Sequence, residues 1–204
     1  MGSLISICKM LDTNKIEDDL TIRLINGFKQ STNHLNDTLN DLIKILIIKE
    51  NTSLPAYTLS FEEILQKVMA TVYLILVNES VTIDTDFSNA PTVNFSSAYL
   101  ESIFLNLLTN SIKYRNPKNN LLIKMHTSIS TDGTTKLIYS DNGIGMNMER
   151  IKGKIFGLHQ RFHHNTDSKG IGLYLIHSQI TALGGLIDVT SEEHIGTTFT
   201  ITFK

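Results

Sequence analysis

The sequence has a single cysteine, Cys8, among its 204 residues, which excludes an internal disulfide and any cysteine-rich zinc site. It also lacks an excess of either charge, because 18 basic residues stand against 20 acidic ones. Such a chain has no surplus of lysine and arginine to neutralise the phosphates of a nucleic acid, so we expect no nucleic-acid partner. A lone thiol is typical of a reducing compartment, and we expect a cytoplasmic location.

Long hydrophobic runs are also missing. The longest uncharged apolar stretch, residues 69–77, is far shorter than the roughly 20 residues that a membrane-spanning helix needs. The first residues, Met-Gly-Ser-Leu, lack the basic region and apolar core of a signal peptide. We expect no membrane contact from this segment, with any anchor of the full-length protein upstream. What is present is a composition of 41% hydrophobic and 19% charged residues, which is typical of a globular protein.

The first fifty residues contain no proline, and their apolar side chains recur every three or four positions, which predicts a long helix with one narrow apolar stripe. The stripe consists of Ile16, Leu20, Leu24, Phe28, Leu35, Leu39, Leu42 and Leu46. A short helix over 3–11 and a turn at 12–15 would complete a helical hairpin. The stripe needs a partner, and we expect a homodimer through this hairpin. The alternative is a long solvent-facing helix packed on the following domain.

Ser53-Leu54-Pro55 breaks the helix and predicts a hinge. We therefore divide the chain into a helical hairpin (1–52), a hinge (53–55) and a second domain (56–204). In the second domain, helices are predicted at 60–77, 97–114 and 171–183, the first with Ser60 as its N-cap and Glu63 three residues later. Strands are predicted at 57–59, 81–87, 92–95, 121–129, 136–140, 186–190 and 197–203. This alternation indicates an α+β fold, a two-layer sandwich of a mixed sheet with helices on one face.

A polar face is predicted on the helix over 97–114. Asn106, Asn110, Lys113 and Tyr114 lie at i, i+4, i+7 and i+8, so they share one side of the helix. Two amides, an ammonium and a phenol are suited to a phosphate and its metal, because Mg²⁺ takes few protein ligands and keeps its waters. A solvated helix face is the alternative.

A second candidate site begins with Asp141, directly after a predicted strand, and continues with Gly143 and Gly145. Glycines at these positions let the backbone approach a flat ligand closely. The carboxylate can accept a hydrogen bond from an exocyclic amine. An ordinary loop turn is the alternative, and the dinucleotide-binding fingerprint is excluded because Met148 occupies its third glycine position.

A third candidate site, Ser168–Leu173, opens the last predicted helix. Gly170 and Gly172 at a helix N-terminus offer free N–H groups to an anion, and Lys169 could add a charged hydrogen bond. The Gly-Lys-Ser/Thr of a Walker A loop is absent. The preceding polar stretch, 157–167, has the length and composition of a mobile lid and contains Arg161.

Taken in order, these motifs resemble the catalytic and ATP-binding domain of a sensor histidine kinase, a member of the superfamily with the Bergerat ATP-binding fold. Residues 106–117 resemble its N box, 141–145 its first glycine box, 155–162 its F box, 168–173 its second glycine box and 196–199 its terminal Gly-Thr-x-Phe. The resemblance covers about residues 56–204. The preceding hairpin resembles the family's dimerisation and phosphotransfer domain.

The resemblance implies a role for each matching residue. Asn110 would bind Mg²⁺ with Asn106 beside it, and Asp141 would accept from the adenine amine. The remaining nucleotide contacts fall on Lys113 for the phosphates, Tyr114 for the sugar or lid, Gly143 and Gly145 for the adenine pocket, Gly170, Gly172 and Leu173 for the phosphates at the helix start, Arg161 and Lys169 for the γ-phosphate, and Thr198 for the pocket floor. Asn106, Lys113 and Arg161 would carry the chemistry.

The implied reaction transfers the γ-phosphoryl group of ATP to a histidine, for relay to an aspartate on a response regulator. Related ATPases such as the gyrase B subunit and MutL carry a glutamate where Asn106 stands, and an amide cannot activate water as a carboxylate can. Asn106 therefore favours phosphotransfer over hydrolysis. A protein serine kinase of the anti-sigma type and a nucleotide-binding scaffold without phosphotransfer remain alternatives.

The sequence departs from the family pattern at several positions. Ser168 replaces a usual glycine, and His159 replaces the second phenylalanine of the F box. No His-Glu/Asp-x-Arg/Lys-x-Pro phosphoacceptor box occurs, and His34 falls on the second helix, so we interpret it as a surface residue. We expect this chain to bind ATP without phosphorylating itself. His159, His163 and His164 are interpreted as exposed lid residues rather than metal ligands.

Overall fold

A computed structural model describes residues 6–7, 18–50, 55–79, 81–151, 153–158 and 170–204. The chain divides into two compact units, Met1–Ile47 and Ile48–Lys204. Ser6 and Ile7, from the predicted first helix, are helical. The rest of that helix, apart from these two residues, and the predicted turn at 12–15 lie outside the described residues, as do Ser53 and Leu54 of the predicted hinge. Within the described ranges, no helix is both long enough and apolar enough to cross a membrane.

The N-terminal helix, α1, runs over Asp19–Glu50, as its apolar periodicity predicts. Its first turn is capped by Asp18, whose carboxylate accepts a hydrogen bond from the backbone N–H of Thr21 at 2.9 Å. The apolar stripe is exposed along the helix, at Leu20, Leu24, Phe28, Leu35, Leu39, Leu42 and Leu46. An exposed row of large apolar side chains is typical of a surface that binds a partner.

The second unit is built on a five-stranded mixed sheet. Its strands are β2 (Thr82–Asp86), β4 (Leu122–Ile129), β5 (Thr135–Asp141), β6 (Leu186–Glu192) and β7 (Gly196–Phe203), in the order β2-β4-β5-β7-β6. The pairing of β2 with β4 is parallel, and the other pairings are antiparallel. Two further strands, β1 (Tyr57–Ser60) and β3 (Thr92–Phe95), form a separate antiparallel ribbon.

The helices of this unit are α2 (Phe61–Asn78), α3 (Ser97–Lys113), α4 (Met148–Ile151) and α5 (Gly172–Ala182). The predicted N-cap of α2 is confirmed, because the Ser60 hydroxyl accepts from the backbone N–H of Glu63 at 3.3 Å. The other predicted elements agree with the structure to within two residues at each end, with β3 matching at both ends, whereas the short α4 was not predicted. Tyr114 is the C-cap of α3 rather than its last residue. Asp141 belongs to β5 because it pairs with Ile123 and Thr197, whereas the sequence placed it just after the strand.

The core lies between the sheet and the helices on one of its faces. Alternate residues of β7, among them Phe199, Ile201 and Phe203, are buried there. The Phe61 ring at the start of α2 lies 5.7 Å from that of Phe203 and 6.5 Å from that of Phe104 on α3. Burying each such side chain contributes about 1.5–3 kcal/mol to folding. The opposite face of β7 is threonine-rich, and the predicted sandwich with helices on one face is confirmed.

Candidate functional site

The polar face of α3 meets the start of α5. The Asn106 Nδ2 donates to the backbone carbonyl of Ser102, one turn earlier, at 2.8 Å. Because the amide nitrogen is held by this hydrogen bond, the Asn106 Oδ1 points towards Gly172. A β-carbon placed at Gly172 would lie 3.0 Å from that Oδ1 and 3.8 Å from the Asn110 Nδ2. The N box and the second glycine box therefore form one surface.

A second, partly buried contact joins the same two helices, one turn before Asn106 on α3. The Gln179 side chain of α5 donates to the Ser102 hydroxyl of α3 at 3.0 Å. That hydroxyl also accepts a longer hydrogen bond, 3.4 Å, from the Asn106 amide. Gln179 and Ser102 thus support the position of Asn106 from behind.

The start of α5 is suited to an anion. Its N-cap, Ile171, has no side chain that could bond the first backbone N–H groups. These N–H groups and the positive end of the helix dipole favour a negatively charged ligand. Gly170, with φ at +67°, directs the chain into the helix in a conformation that other residues rarely adopt. Leu173 lies half-buried in the first turn.

Asp141, at the end of β5, is held by hydrogen-bond donors from two parts of the fold. Its Oδ1 accepts from the backbone N–H of Gly143 at 2.9 Å, and its Oδ2 accepts from the Ser111 hydroxyl at 2.8 Å. The nearby backbone N–H of Thr197 also acts to lower the pKa of this carboxyl. Burial raises the pKa of the Asp141 carboxyl, and these hydrogen bonds act against that rise. The result is a partly buried carboxylate whose orientation is fixed by hydrogen bonds from Gly143 and Ser111.

The glycines beside Asp141 are required by close backbone approach. A β-carbon at Gly143 would lie 2.6 Å from the Tyr114 carbonyl oxygen, and one at Gly145, whose φ is +63°, would overlap the Glu192 carbonyl oxygen. The loop is also tied down by hydrogen bonds, because the Met146 N–H donates to the Ser191 hydroxyl at 2.9 Å. The first glycine box is therefore a rigid wall rather than an ordinary surface turn.

The C-terminal end of α3 supports this loop. The Tyr114 carbonyl accepts from the backbone N–H of Ile144 at 2.9 Å. The Lys113 ammonium lies 5.9 Å from the centre of the Tyr114 ring, within the range of a cation–π contact. The structure thus brings the Tyr114 backbone to the first glycine box and the Lys113 ammonium to the Tyr114 ring.

Thr198, which the sequence analysis placed at the pocket floor, does not lie beside Asp141 and the first glycine box. It pairs with Ser140, so both side chains lie on the face of the sheet opposite to Tyr139 and Asp141. Thr197 lies on the helix side, pairs with Asp141 and places its hydroxyl 2.9 Å from that of Ser191. Alternation within β7, counted back from the buried Phe199, indicates that Thr197 is on the helix side, and the pairing with β5 sets it opposite Asp141.

Sequence reasoning also missed the hydroxyls behind Asp141. Ser111 directly follows Asn110, and Tyr139 precedes Asp141 by two residues on one strand face, so their positions carried a signal.

The lid residues Arg161 and Lys169, with Ser168 and the three lid histidines, lie outside the described residues. Just before them, the Phe156 ring stacks on that of His177 of α5 at 5.1 Å. Among the described residues, no cluster of three or more His, Cys, Asp or Glu could hold a metal.

Known proteins are similar in sequence to this chain. A family model described as "Histidine kinase-, DNA gyrase B-, and HSP90-like ATPase" matches residues 96–204, more than half of the chain. Histidine protein kinase SaeS of Staphylococcus aureus (strain Newman) is 25% identical over 177 residues, 85% of this chain and 50% of SaeS. Sensor protein RprX of Bacteroides fragilis (strain YCH46) is 29% identical over 128 residues, 61% of this chain and 24% of RprX. The chain spans half the length or less of these two relatives.

Solved structures share its fold. A crystal structure of full-length ShkA in complex with AMPPNP covers 98% of this chain and 42% of its own, with a TM-score of 0.76 and 20% identity. The Acinetobacter baumannii histidine kinase AdeS covers 100% of this chain and 91% of its own, with a TM-score of 0.67 and 19% identity. These likenesses confirm the predicted fold, and the family model confirms the resemblance on which it was based. The chain belongs to the family of histidine kinase-, DNA gyrase B- and HSP90-like ATPases.

Proposed function

We propose that this chain is the ATP-binding catalytic part of a two-component sensor histidine kinase. It transfers the γ-phosphoryl group of ATP to a histidine that lies outside the chain, for relay to an aspartate of a response regulator. The observation that carries the proposal is the contact between Asn106 and Gly172, which joins a polar helix face to an anion-binding helix start. The name of SaeS, a histidine protein kinase, supports the same reaction class.

The base of the nucleotide is proposed to lie against Asp141. A carboxylate with both oxygens oriented by Gly143 and Ser111 can accept a further hydrogen bond from the exocyclic amine of adenine. Guanine has a carbonyl at the equivalent position, which an ionised carboxylate repels. Gly143 and Gly145 hold the loop beside Asp141 through close backbone approach and are proposed to line the adenine pocket, and Thr197, rather than Thr198, is assigned to the pocket floor.

The phosphates are proposed to lie between α3 and the start of α5. Gly170, Gly172 and Leu173 present backbone N–H groups, Lys113 supplies a positive charge, and Tyr114 contacts the sugar or the lid. Arg161 and Lys169 are proposed to reach the γ-phosphate from the lid. These residues stabilise charge on a phosphoryl group in transfer rather than forming covalent bonds to it.

The donor set at Asn106 and Asn110 fits a magnesium ion that is shared with phosphates. Amide oxygens are hard ligands, and Mg²⁺ in such sites is completed by phosphate oxygens and water. Bound there, the ion would neutralise phosphate charge. Asn110 is proposed as the ligand and Asn106 as its neighbour.

In the proposed transfer, a histidine ring nitrogen of the acceptor uses its lone pair to form the bond to the γ-phosphorus, and the bond from that phosphorus to the bridging oxygen of ADP breaks. A neutral imidazole needs no base to remove a proton before it attacks. Asn106 therefore serves this reaction without acting as a base, and as an amide it gives water no general base.

A homodimer through the N-terminal hairpin is proposed, with residues 1–52 as the hairpin and 53–55 as the hinge to the catalytic domain. The exposed stripe of α1 supports this, because a second copy would cover it. The receiver domain of a response regulator is the proposed second partner, and the cytoplasm is the proposed location. Light scattering should give twice the mass of one chain, and a monomer at high concentration would contradict the dimer.

A labelling experiment tests the function. The 204-residue chain is mixed with Mg²⁺ and ATP labelled on the γ-phosphate, with and without a separate acceptor hairpin that carries a phosphoacceptor histidine. We expect label on the acceptor that is lost in acid and retained in base, with none on the chain alone. Label on serine, stable in acid, would favour a serine kinase. Nucleotide binding without transfer would favour a scaffold. Self-labelling that is lost in His34→Ala would contradict our interpretation of His34.

A further inference from the structure

A buried chain of hydroxyl groups leads to Asp141 from behind. The Tyr139 hydroxyl lies 2.8 Å from that of Ser111, and the Ser111 hydroxyl lies 2.8 Å from the Asp141 Oδ2. Tyr139 is fully buried, and Ser111 is 3% exposed. Neither side chain can reach a ligand through solvent, so any effect that they have on a ligand passes through Asp141.

The direction of these hydrogen bonds follows from counting protons. An ionised carboxylate only accepts, so the single hydrogen of the Ser111 hydroxyl points to Asp141. Ser111 then has only lone pairs to offer Tyr139, and Tyr139 must donate to it. Burial raises the pKa of the Tyr139 hydroxyl well above its usual value, which keeps that donor protonated. Both hydroxyls therefore point towards the carboxylate.

We propose that Ser111 and Tyr139 are positioning residues for base recognition, which hold the Asp141 carboxylate in the rotation that accepts the adenine amine. They thereby set the preference for adenine over guanine nucleotides. The inference rests on the proposed function, and it assigns the selectivity of that site to two residues that never contact the nucleotide.

The physical reason lies in the side chain of aspartate. Rotation of a carboxylate about its last bond is broad, so one hydrogen bond leaves it free to turn. Here each oxygen has its own donor: Gly143 on Oδ1 and Ser111 on Oδ2. The second donor is in turn oriented by Tyr139. Removal of the Ser111 hydroxyl leaves Oδ2 without a donor from α3, and the carboxylate turns or draws in water.

The experiment compares two nucleotides that differ only in the amine. Calorimetry on the whole chain measures ATP and purine riboside 5′-triphosphate, which lacks the exocyclic amine, against wild type, Ser111→Ala and Tyr139→Phe. We expect wild type to prefer ATP, and Ser111→Ala to lose about tenfold in ATP affinity with the affinity for the analogue almost unchanged. Tyr139→Phe should lose about threefold in ATP affinity, in the same selective way.

Thr127→Val is the matched control. Thr127 is 1% exposed on the neighbouring strand β4, and its hydroxyl has no partner among the described residues, so its removal should change neither affinity. Ser111→Thr, which keeps the hydroxyl, should keep most of the preference for ATP. Circular dichroism melts establish that each variant is folded, and the isosteric Tyr139→Phe carries the test if Ser111→Ala does not fold.

The outcomes separate this inference from the proposed function. If Ser111→Ala and Tyr139→Phe weaken both nucleotides equally, or keep the wild-type preference for ATP, the positioning role is wrong while the site stands. If wild type binds neither nucleotide, or binds both equally, the proposed base site is wrong and this inference fails with it.

Discussion

The carboxylate of Asp141 has hydrogen-bond donors on both of its oxygens, whereas the oxygen of Asn106 at the other end of the site faces the start of α5, which has no side-chain cap among the described residues. We call the first region the base end (Asp141, Gly143 and Gly145) and the second the phosphate end (Asn106, Asn110 and Gly172). The base end is shaped by strands and by a loop with many internal hydrogen bonds. The phosphate end presents the Asn106 amide oxygen and the backbone of the first turn of α5, with the Asn110 Nδ2 beside them. The residues proposed to bind the base are thus preorganised by the fold, whereas those proposed to bind the phosphates present polar groups that a ligand would complete.

The largest expected effect tests whether the base end is rigid. Gly145→Ala would place a β-carbon onto the Glu192 carbonyl oxygen at a φ of +63°. Strain and overpacking together should cost about 3 kcal/mol or more in the free energy of unfolding, measured by urea denaturation. Gly153→Ala is the control, because Gly153 has a φ of +81° but no neighbour within 4 Å among the described residues. Equal costs for the two variants would mean that the contact with Glu192 does not constrain the loop.

Removal of the carboxylate should have the next largest effect. Asp141→Ala loses a hydrogen bond to a charged group, worth about 1.5–3 kcal/mol, so ATP affinity should fall by one to two orders of magnitude in calorimetry. Wild type should bind ATP better than GTP. Equal affinity of wild type for the two nucleotides would contradict the assignment of Asp141 to the adenine amine.

A smaller effect is expected at the phosphate end, where the change is one of chemistry rather than of binding. Asn106→Glu introduces a carboxylate that can take a proton from water, so slow ATP hydrolysis should rise by about tenfold or less in a phosphate-release assay. Asn106→Gln has the same length without a base and should not raise it. If Asn106→Glu still binds ATP and releases phosphate at the rate of Asn106→Gln, the argument from this amide fails.

The smallest expected effect is a dependence of stability on pH. Burial raises the pKa of Asp141 above its ordinary value of 3.8, so between 3.8 and the raised value the folded chain holds more proton than the unfolded one. This contribution to the free energy of unfolding is therefore greatest at low pH and is lost as pH rises through that window. Asp141→Asn lacks the titration, so its stability relative to wild type should improve with rising pH, as urea titrations can measure. A difference that does not change with pH would mean that the hydrogen bonds offset burial completely.

Much of the fold could be predicted because its signals are local. The stripe of α1, the Ser60 cap and the alternation of β7 each depend on a few neighbouring residues. Element ends were less certain: α3 stops at Lys113 because the Tyr114 carbonyl turns to the Ile144 N–H instead of continuing the helix. That hydrogen bond joins distant parts of the chain, and no local pattern announces it.

The site shows the same division. Asp141, Asn106 and Gly172 could be predicted because each belongs to a motif with its own spacing. Ser111, Tyr139 and Thr197 are harder to assign, because they come from α3, β5 and β7 and only the folded chain brings them together around Asp141. Ser111 bonds its carboxylate, Tyr139 bonds Ser111, and Thr197 pairs with Asp141 across the strands. The Gly-Thr-x-Phe motif alone does not say which of Thr197 and Thr198 lies opposite Asp141. The pairing of β5 with β7 shows that it is Thr197.

Because Tyr114 caps α3 and bonds the first glycine box, the length of α3 determines where Asn110 lies relative to that loop. Each residue of an α-helix turns the chain by about 100° and advances it by about 1.5 Å. One residue inserted between Asn110 and Tyr114 would swing Lys113 to another side of the helix and withdraw the carbonyl that receives the Ile144 N–H. The Asp132–Gly133 turn, by contrast, joins two strands without touching either end of the site. We therefore expect insertions to be tolerated at that turn but not between Asn110 and Tyr114, where the site fixes the spacing.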